Sequence, residues 1–313
     1  MNPAIRTEKL TRRFGRTLAL DSVNLEIPPG AIYALVGPNG AGKTTMIKLL
    51  MNIHRASSGR AEVLGIDTRE LSGKAFRHVG YVSENQEMPE WMTVGALLDY
   101  FRSFYPHWDR DLEQQLVRQF ALPLERKIKH LSRGQRMKAA FASSLAYRPS
   151  LVVLDEPFSG LDPLVRDELI EGLLERAPET TIFLSSHDLA EIESFSSHVG
   201  FLEEGKLLFS EELSVLTDRF RDVTVTLAGP SSLPVEWPSA WLLPQAADSV
   251  VRFVHSSYQP DATERELAVM FPGASNVAFD PMPLRAIFLA IAKSNRNRPS
   301  PAIPSPDARR VEA

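Results

Sequence analysis

Along the first two thirds of the chain, short apolar runs alternate with segments whose apolar residues recur at helical spacing. AIYALVG (31–37) is an apolar run ending in glycine, and KTTMIKLLMNI (43–53) follows with helical periodicity, so strand, loop and helix succeed one another. Further apolar runs at 79–82, 151–154, 181–185 and 198–202 alternate with helical stretches at 94–104, 109–120, 133–146, 164–175 and 188–195. This alternation predicts a layered α/β domain. Residues 1–27 are richer in short strand-like segments and are expected to add an antiparallel subsheet. After about residue 215 the pattern changes. VTVTLAG, LPVEWPSAWLLP, VVRFVH, ATERELAVM, NVAFD and LRAIFLAIAK read as a small α+β appendage over 216–293. The remainder, 294–313, is rich in Pro, Ser and Arg with few large apolar residues, and is expected to be disordered.

Composition narrows the picture. A chain of 313 residues exceeds the usual size of one hydrophobic core, and 43% hydrophobic content can fill two. The net charge of −4 argues against a general nucleic-acid binder, which carries a basic excess. No apolar run approaches the roughly 18 residues that span a bilayer, and MNPAIRTEKL at the N-terminus lacks the apolar core of a signal peptide. A cytoplasmic location is therefore expected. With no cysteine, disulfides, thiolate metal sites and a cysteine nucleophile are excluded.

Chemistry enters with GPNGAGKTT, the stretch Gly37, Pro38, Asn39, Gly40, Ala41, Gly42, Lys43, Thr44 and Thr45. It fits G-x-x-x-x-G-K-[ST] in the required context, after a strand and opening a helix. Glycines let successive N–H groups turn inward, the helix N-terminus adds partial positive charge, Lys43 reaches the outer phosphates, and Thr44 offers a hydroxyl to Mg²⁺. A nucleoside triphosphate is the ligand this loop suits. LVVLDEP (151–157) then puts Asp155 at the end of a buried strand, where a parallel sheet presents its carboxyl ends to ligand. Asp155 is expected to hold Mg²⁺, and Glu156 to polarise the water that attacks the γ-phosphate.

Three weaker signals follow the same order along the chain. LSRGQ (131–135) precedes a helix with Ser132 as N-cap, a second anion-binding helix end. SGLDP (159–163) turns into the next helix with Pro163 at its first position. FLSSHD puts His187 just past a strand. Taken together, GPNGAGKTT, LSRGQ, LVVLDEP, SGLD and SSH resemble the nucleotide-binding domain of an ATP-binding cassette (ABC) transporter over residues 3 to 215. The resemblance implies a P-loop NTPase cassette with an antiparallel subsheet and a helical subdomain near 87–148, plus the small C-terminal α+β domain. It implies ATP and Mg²⁺ as ligands, with Phe14 stacking on adenine. Ser132, Arg133, Gly134 and Gln135 would close over the γ-phosphate bound by a second subunit. Asp162 would communicate across that dimer, His187 would contact the γ-phosphate, and Glu156 would be the catalytic base. It further implies ATP hydrolysis, a second cassette, a separately encoded integral membrane permease, and residence on the cytoplasmic face of the membrane; that all catalytic positions are filled favours a copy of this chain over a different cassette as the second one.

Two departures from the family pattern stand out. Arg133 replaces the middle glycine of LSGGQ. In GYVSENQ (80–86) the family's lid glutamine, which senses Mg²⁺ and the attacking water, aligns with Glu84, leaving Gln86 as the alternate. Beyond the lid, Trp91, Tyr100, Phe101, Phe104, Tyr105 and Trp108 are expected mostly in the core of the helical subdomain, with any exposed ones forming the permease docking surface. FYPHWD also looks like the bacterial exporter branch related to antibiotic-resistance and envelope-stress cassettes. Relatives that act on ribosomes or DNA carry two cassettes or a long coiled-coil insertion, and the stretch between Thr44 and Arg133 is too short for the latter.

Overall fold

A computed structural model describes residues 2–230, 233 and 237–297, which form two compact units meeting at residues 213 and 214. In the first unit, β1 (Ile5–Phe14) and β2 (Thr17–Ile27) pair antiparallel, and β1 pairs on its other side with β4 (Ser58–Val63), which is followed by β5 (Ile66–Asp67). The antiparallel subsheet thus extends beyond residues 1–27. A second sheet of six strands has the order β10-β9-β3-β8-β7-β6. Its members are β3 (Ile32–Val36), β6 (Val79–Val82), β7 (Leu151–Asp155), β8 (Thr181–Ser186), β9 (His198–Glu203) and β10 (Lys206–Glu212). All adjacent pairs among β9, β3, β8, β7 and β6 are parallel, and only β10 runs antiparallel, against β9.

Strands β3 and β7 are buried at every position, IYALV and LVVLD, as a sheet covered on both faces requires. Side chains of α1 (Lys43–Leu50), Met46, Ile47 and Leu50, pack with Tyr33, Leu35, Val153 and Phe183 from one direction and with Ile5, Leu20 and Leu25 of the subsheet from the other. Fully burying each such side chain stabilises by about 1.5–3 kcal/mol. The remaining helices are α2 (Val94–Arg102), α3 (Arg110–Gln119), α4 (Arg133–Leu145), α5 (Pro163–Leu174) and α6 (Leu189–Glu193). Helix α6 is shorter than the 188–195 stretch the periodicity predicts.

The aromatics after residue 90 depart from expectation, because none of the six is buried. Trp91 is 70% exposed, Phe104 56% and Tyr100 47%, while Phe101, Tyr105 and Trp108 are half-buried. Helix α2 turns Val94, Leu97 and Leu98 inward, so Tyr100 and Phe104 contact each other at its outer end with ring centroids 5.0 Å apart. Tyr105 instead stacks on Tyr147 at 3.8 Å, and Trp108 donates to Glu113.

In the second unit, α7 (Leu213–Arg219), which begins at the boundary, is followed by β11 (Arg221–Leu227), β12 (Trp241–Ala247), β13 (Val250–His255), α8 (Pro260–Met270), β14 (Ala274–Pro281) and α9 (Leu284–Asn297). Its antiparallel sheet has the order β12-β13-β11-β14, the arrangement of a split βαβ sheet, with no helix among the described residues between β11 and β12. Aromatic packing closes that side: Trp241 stacks on Phe253 at 4.3 Å, and Trp237 stands edge-on to both. Helix α9 runs to Asn297 and so takes in 294–297 of the segment expected to be disordered. Composition there is polar, but helical backbone bonds need no apolar side chain to continue for one more turn. Residues 298–313 of that tail lie outside the described residues.

Candidate nucleotide site

Four loops converge because four neighbouring parallel strands, β3, β8, β7 and β6, end on the same side of the sheet. The loop after β3 carries residues 37–45, that after β7 carries Glu156, that after β8 carries His187, and that after β6 carries Glu84. A cavity of about 410 Å³ is lined by Asn39 to Thr45 together with Glu84, Glu156, Ser159 and His187, and by Thr17, Leu18 and Ala19. Gly40 and Gly42 have φ of 82° and 111°, conformations that side-chain-bearing residues resist, and a Cβ on Gly42 would lie 2.5 Å from the Ala19 carbonyl. Gly42 is the N-cap of α1 and provides no side-chain cap, so the helix presents its first N–H groups to the cavity.

The charges inside are tightly paired. Lys43 Nζ donates to the carbonyls of Gly37 and Pro38, at 2.7 and 3.3 Å, and lies 3.1 Å from Glu156 Oε1. Its three N–H groups are thereby all used. The other oxygen of Glu156, Oε2, is hydrogen-bonded to His187 Nδ1 at 2.7 Å. Lys43 and Glu156 side chains are only 6% and 11% exposed, while His187 is 48% exposed at the rim. Below them, Thr44 Oγ1 donates to Asp155 Oδ1 at 3.0 Å, and Asp155 is buried. Tyr81, on the neighbouring strand β6, has its phenol pushed up mainly by burial and further by the charge of Asp155. A hydroxyl and a carboxylate side by side, next to a phosphate loop, form the sparse oxygen set that suits Mg²⁺, which takes one or two protein oxygens and completes its shell with phosphate and water. Among the described residues no three His, Cys, Asp or Glu side chains form a metal cage by themselves.

The other expected residues lie elsewhere. Ser132 caps α4 reciprocally: its hydroxyl accepts from Gln135 N–H and its own N–H donates to Gln135 Oε1, both at 3.2 Å. Arg133 lays its guanidinium against Gly160, where a Cβ would come within 2.8 Å of Nη1, and Gly134 leaves space that Val165 fills. Ser132–Gln135 do not line the cavity of their own chain. Arg133 instead borders a larger one of about 650 Å³, with Glu84 to Met88, Glu90, Leu131, Arg136 and Met137. That cavity is bigger, but the phosphate-loop residues line the smaller one. Asp162 is the N-cap of α5, accepting from Val165 N–H at 3.1 Å. Gln86 accepts from the N–H and hydroxyl of Ser83 at 3.0 and 3.1 Å, whereas Glu84 faces the phosphate loop. Phe14 is 40% exposed, carries the Arg12 guanidinium 4.3 Å over its ring and meets His54 edge-on. It does not line the cavity, although its strand partner Thr17 does. Sequence reasoning missed Thr17, Leu18, Ala19 and Ser159 on the wall. The hairpin position of Thr17 to Ala19, just past Phe14, was the available signal.

Comparison with known proteins converges on one family. A family model described as ABC transporter matches residues 20–159. The chain is 31% identical over 228 residues to the bacitracin transport ATP-binding protein BcrA of Enterococcus faecalis, covering 72% of this chain and 74% of BcrA. It belongs to the ABC transporter family. The chain is also 35% identical over 214 residues to the probable multidrug ABC transporter ATP-binding protein YbhF of Escherichia coli, matching 66% of this chain but spanning only 36% of YbhF. The solved structure of an ATP binding subunit of an ABC transporter superposes with a TM-score of 0.63 at 26% identity, over 69% of this chain and 92% of that one. The first unit of this ABC protein is thus a P-loop cassette with its antiparallel subsheet. No helix among the described residues is long and apolar enough to cross a membrane.

Proposed function

We propose that this chain is the ATP-hydrolysing subunit of an exporter, working as a head-to-tail pair of identical cassettes against a separately encoded membrane permease on the cytoplasmic face. No nucleic-acid partner enters this reading. The observation that carries it is Glu156, a carboxylate held inside the phosphate-loop cavity between Lys43 and His187. On triphosphate binding, Lys43 turns from Glu156 to the β- and γ-phosphates, and the freed carboxylate takes a proton from the attacking water. The new oxygen–phosphorus bond forms as the β–γ bridge breaks, giving ADP and phosphate. Thr44 and Asp155 would hold Mg²⁺, with Glu84 as a further oxygen ligand. When bound, the ion neutralises charge on the phosphates. His187 orients the γ-phosphate from the rim. Phe14 stacks on adenine with the ring face that Arg12 leaves uncovered.

Pairing of two copies is supported by the place of Ser132–Gln135, outside their own chain's cleft yet at a capped helix end suited to an anion. Asp162, at the start of α5, stands in the loop that would face the partner. Trp91, Tyr100 and Phe104, exposed on the helical subdomain, are the proposed permease contact, since aromatic side chains dominate interface energetics. Export as the direction is supported by the drug-transport roles in the names of BcrA and YbhF. The test is Glu156→Gln in purified protein. ATP turnover falls 10²- to 10⁴-fold while ATP binding persists, and the variant elutes as a dimer with ATP. Unchanged turnover removes Glu156 from its role.

A further inference from the structure

Ser185 lies on β8 one residue before its end and is fully buried. The β7–β8 register sets it directly beside Asp155. Its hydroxyl acts in both directions across that pair, donating to Asp155 Oδ1 at 2.7 Å and accepting from the Glu156 N–H at 2.9 Å. One side chain therefore touches both members of the acidic pair. Thr44 donates to the same Asp155 oxygen, so two hydroxyls fix the rotation of that carboxylate.

The second bond matters because of where Glu156 sits on the backbone map. Its φ is 48°, in the left-handed region that a residue with a side chain occupies only when its surroundings hold it there. The bond from its N–H to Ser185 is one such restraint. With it the Glu156 side chain enters the cleft toward Lys43 and His187. A buried residue with no hydroxyl at 185 would leave both an Asp155 oxygen and the Glu156 N–H without this partner.

We propose that Ser185 is a positioning residue for hydrolysis, which aims Asp155 at the metal side of the cleft and clamps the backbone that delivers Glu156. It is fully buried and does not itself line the cleft. The proposal rests on the hydrolytic reading of Asp155 and Glu156, so the experiment carries a control for that reading. In the full chain, Ser185→Ala, Ser185→Thr and Glu156→Gln are compared for kcat, the Mg²⁺ concentration giving half-maximal turnover, and ATP affinity in EDTA. Ser185→Ala lowers kcat at least tenfold and raises the Mg²⁺ midpoint several-fold, with metal-free ATP affinity within twofold of the parent. Ser185→Thr, which keeps the hydroxyl, restores most of both. An alanine variant with unchanged kcat, with reduced kcat but an unmoved Mg²⁺ midpoint, or with lost metal-free affinity overturns the proposal, the last because it marks a merely structural residue. If Glu156→Gln turns over like the parent, the hydrolytic reading itself fails. If Glu156→Gln is inactive and Ser185→Ala is normal, Ser185 alone is refuted.

Discussion

Before a triphosphate arrives, Lys43 is neutralised by Glu156, and this pairing has a measurable consequence for affinity. The ammonium and carboxylate are 3.1 Å apart, with side chains 6% and 11% exposed. Coulomb attraction at that separation is about 1.3 kcal/mol in a water-like medium and about 5 kcal/mol at an effective dielectric near 20. Desolvation offsets much of it, leaving a net of about 1–2 kcal/mol that an incoming phosphate has to replace. Glu156→Gln keeps the shape, and its amide oxygen can still accept a hydrogen bond from Lys43, but the charge is gone. The variant therefore binds ATP about 5- to 30-fold more tightly than the parent, since about 1.4 kcal/mol is tenfold in affinity. Calorimetric titration at low protein concentration with EDTA present keeps hydrolysis and pairing out of the measurement, and AMP, which has no β- or γ-phosphate, serves as the control that shows no gain. Equal ATP affinity in the two proteins, or an equal gain for AMP, would refute competition between Glu156 and phosphate for Lys43.

Two other expectations concern stability. Ser132→Ala removes one half of the reciprocal cap on α4, so the first unit loses about 0.5–2 kcal/mol in denaturant unfolding, with hydrogen exchange accelerated at the start of that helix. In the second unit, His255 is buried, accepts from Ser257 N–H at 3.1 Å, and has its pKa lowered by burial, only partly countered by Glu266. The unfolded chain then takes up a proton first as pH falls below about 6.5, so stability of this unit is full above that pH and declines below it. His255→Gln flattens that decline, read as pH-dependent hydrogen exchange of α8 between pH 7.5 and 5.5. An identical slope in both proteins removes His255 as its source.

What the sequence made legible was what neighbouring residues determine together. The phosphate loop is contiguous, its glycines announce the turn, and an apolar strand ending in Asp155 announces a site at the carboxyl end of a parallel sheet, so these could be read in order along the chain. Features set by residues far apart could not. That Gln86 would fold back on Ser83 while Glu84 faces the phosphate loop depends on how the loop after β6 settles. The contact of Arg133 with Gly160 and the link from Ser185 to Asp155 join residues brought together only by sheet register and helix packing. The aromatics after residue 90 misled for a related reason: side-chain size signals a buried face only if the helix turns that face inward, and α2 does so with Val94, Leu97 and Leu98 instead.

The parallel ladder beneath the cleft has a practical corollary for mutagenesis. The chemical groups stand on four strand ends, with Lys43 and Thr44 following β3 and Asp155 and Glu156 sharing the end of β7, and the spacing between strand ends is dictated by main-chain hydrogen bonds, near 4.8 Å per step, which no loop substitution alters. Apart from Ser185, which ties β8 to the end of β7, swapping a group on one strand end leaves the other strand ends where they were. Single knockouts around this cleft therefore report on chemistry more cleanly than they would in a pocket assembled from helix faces, where one altered side chain can shift the whole wall.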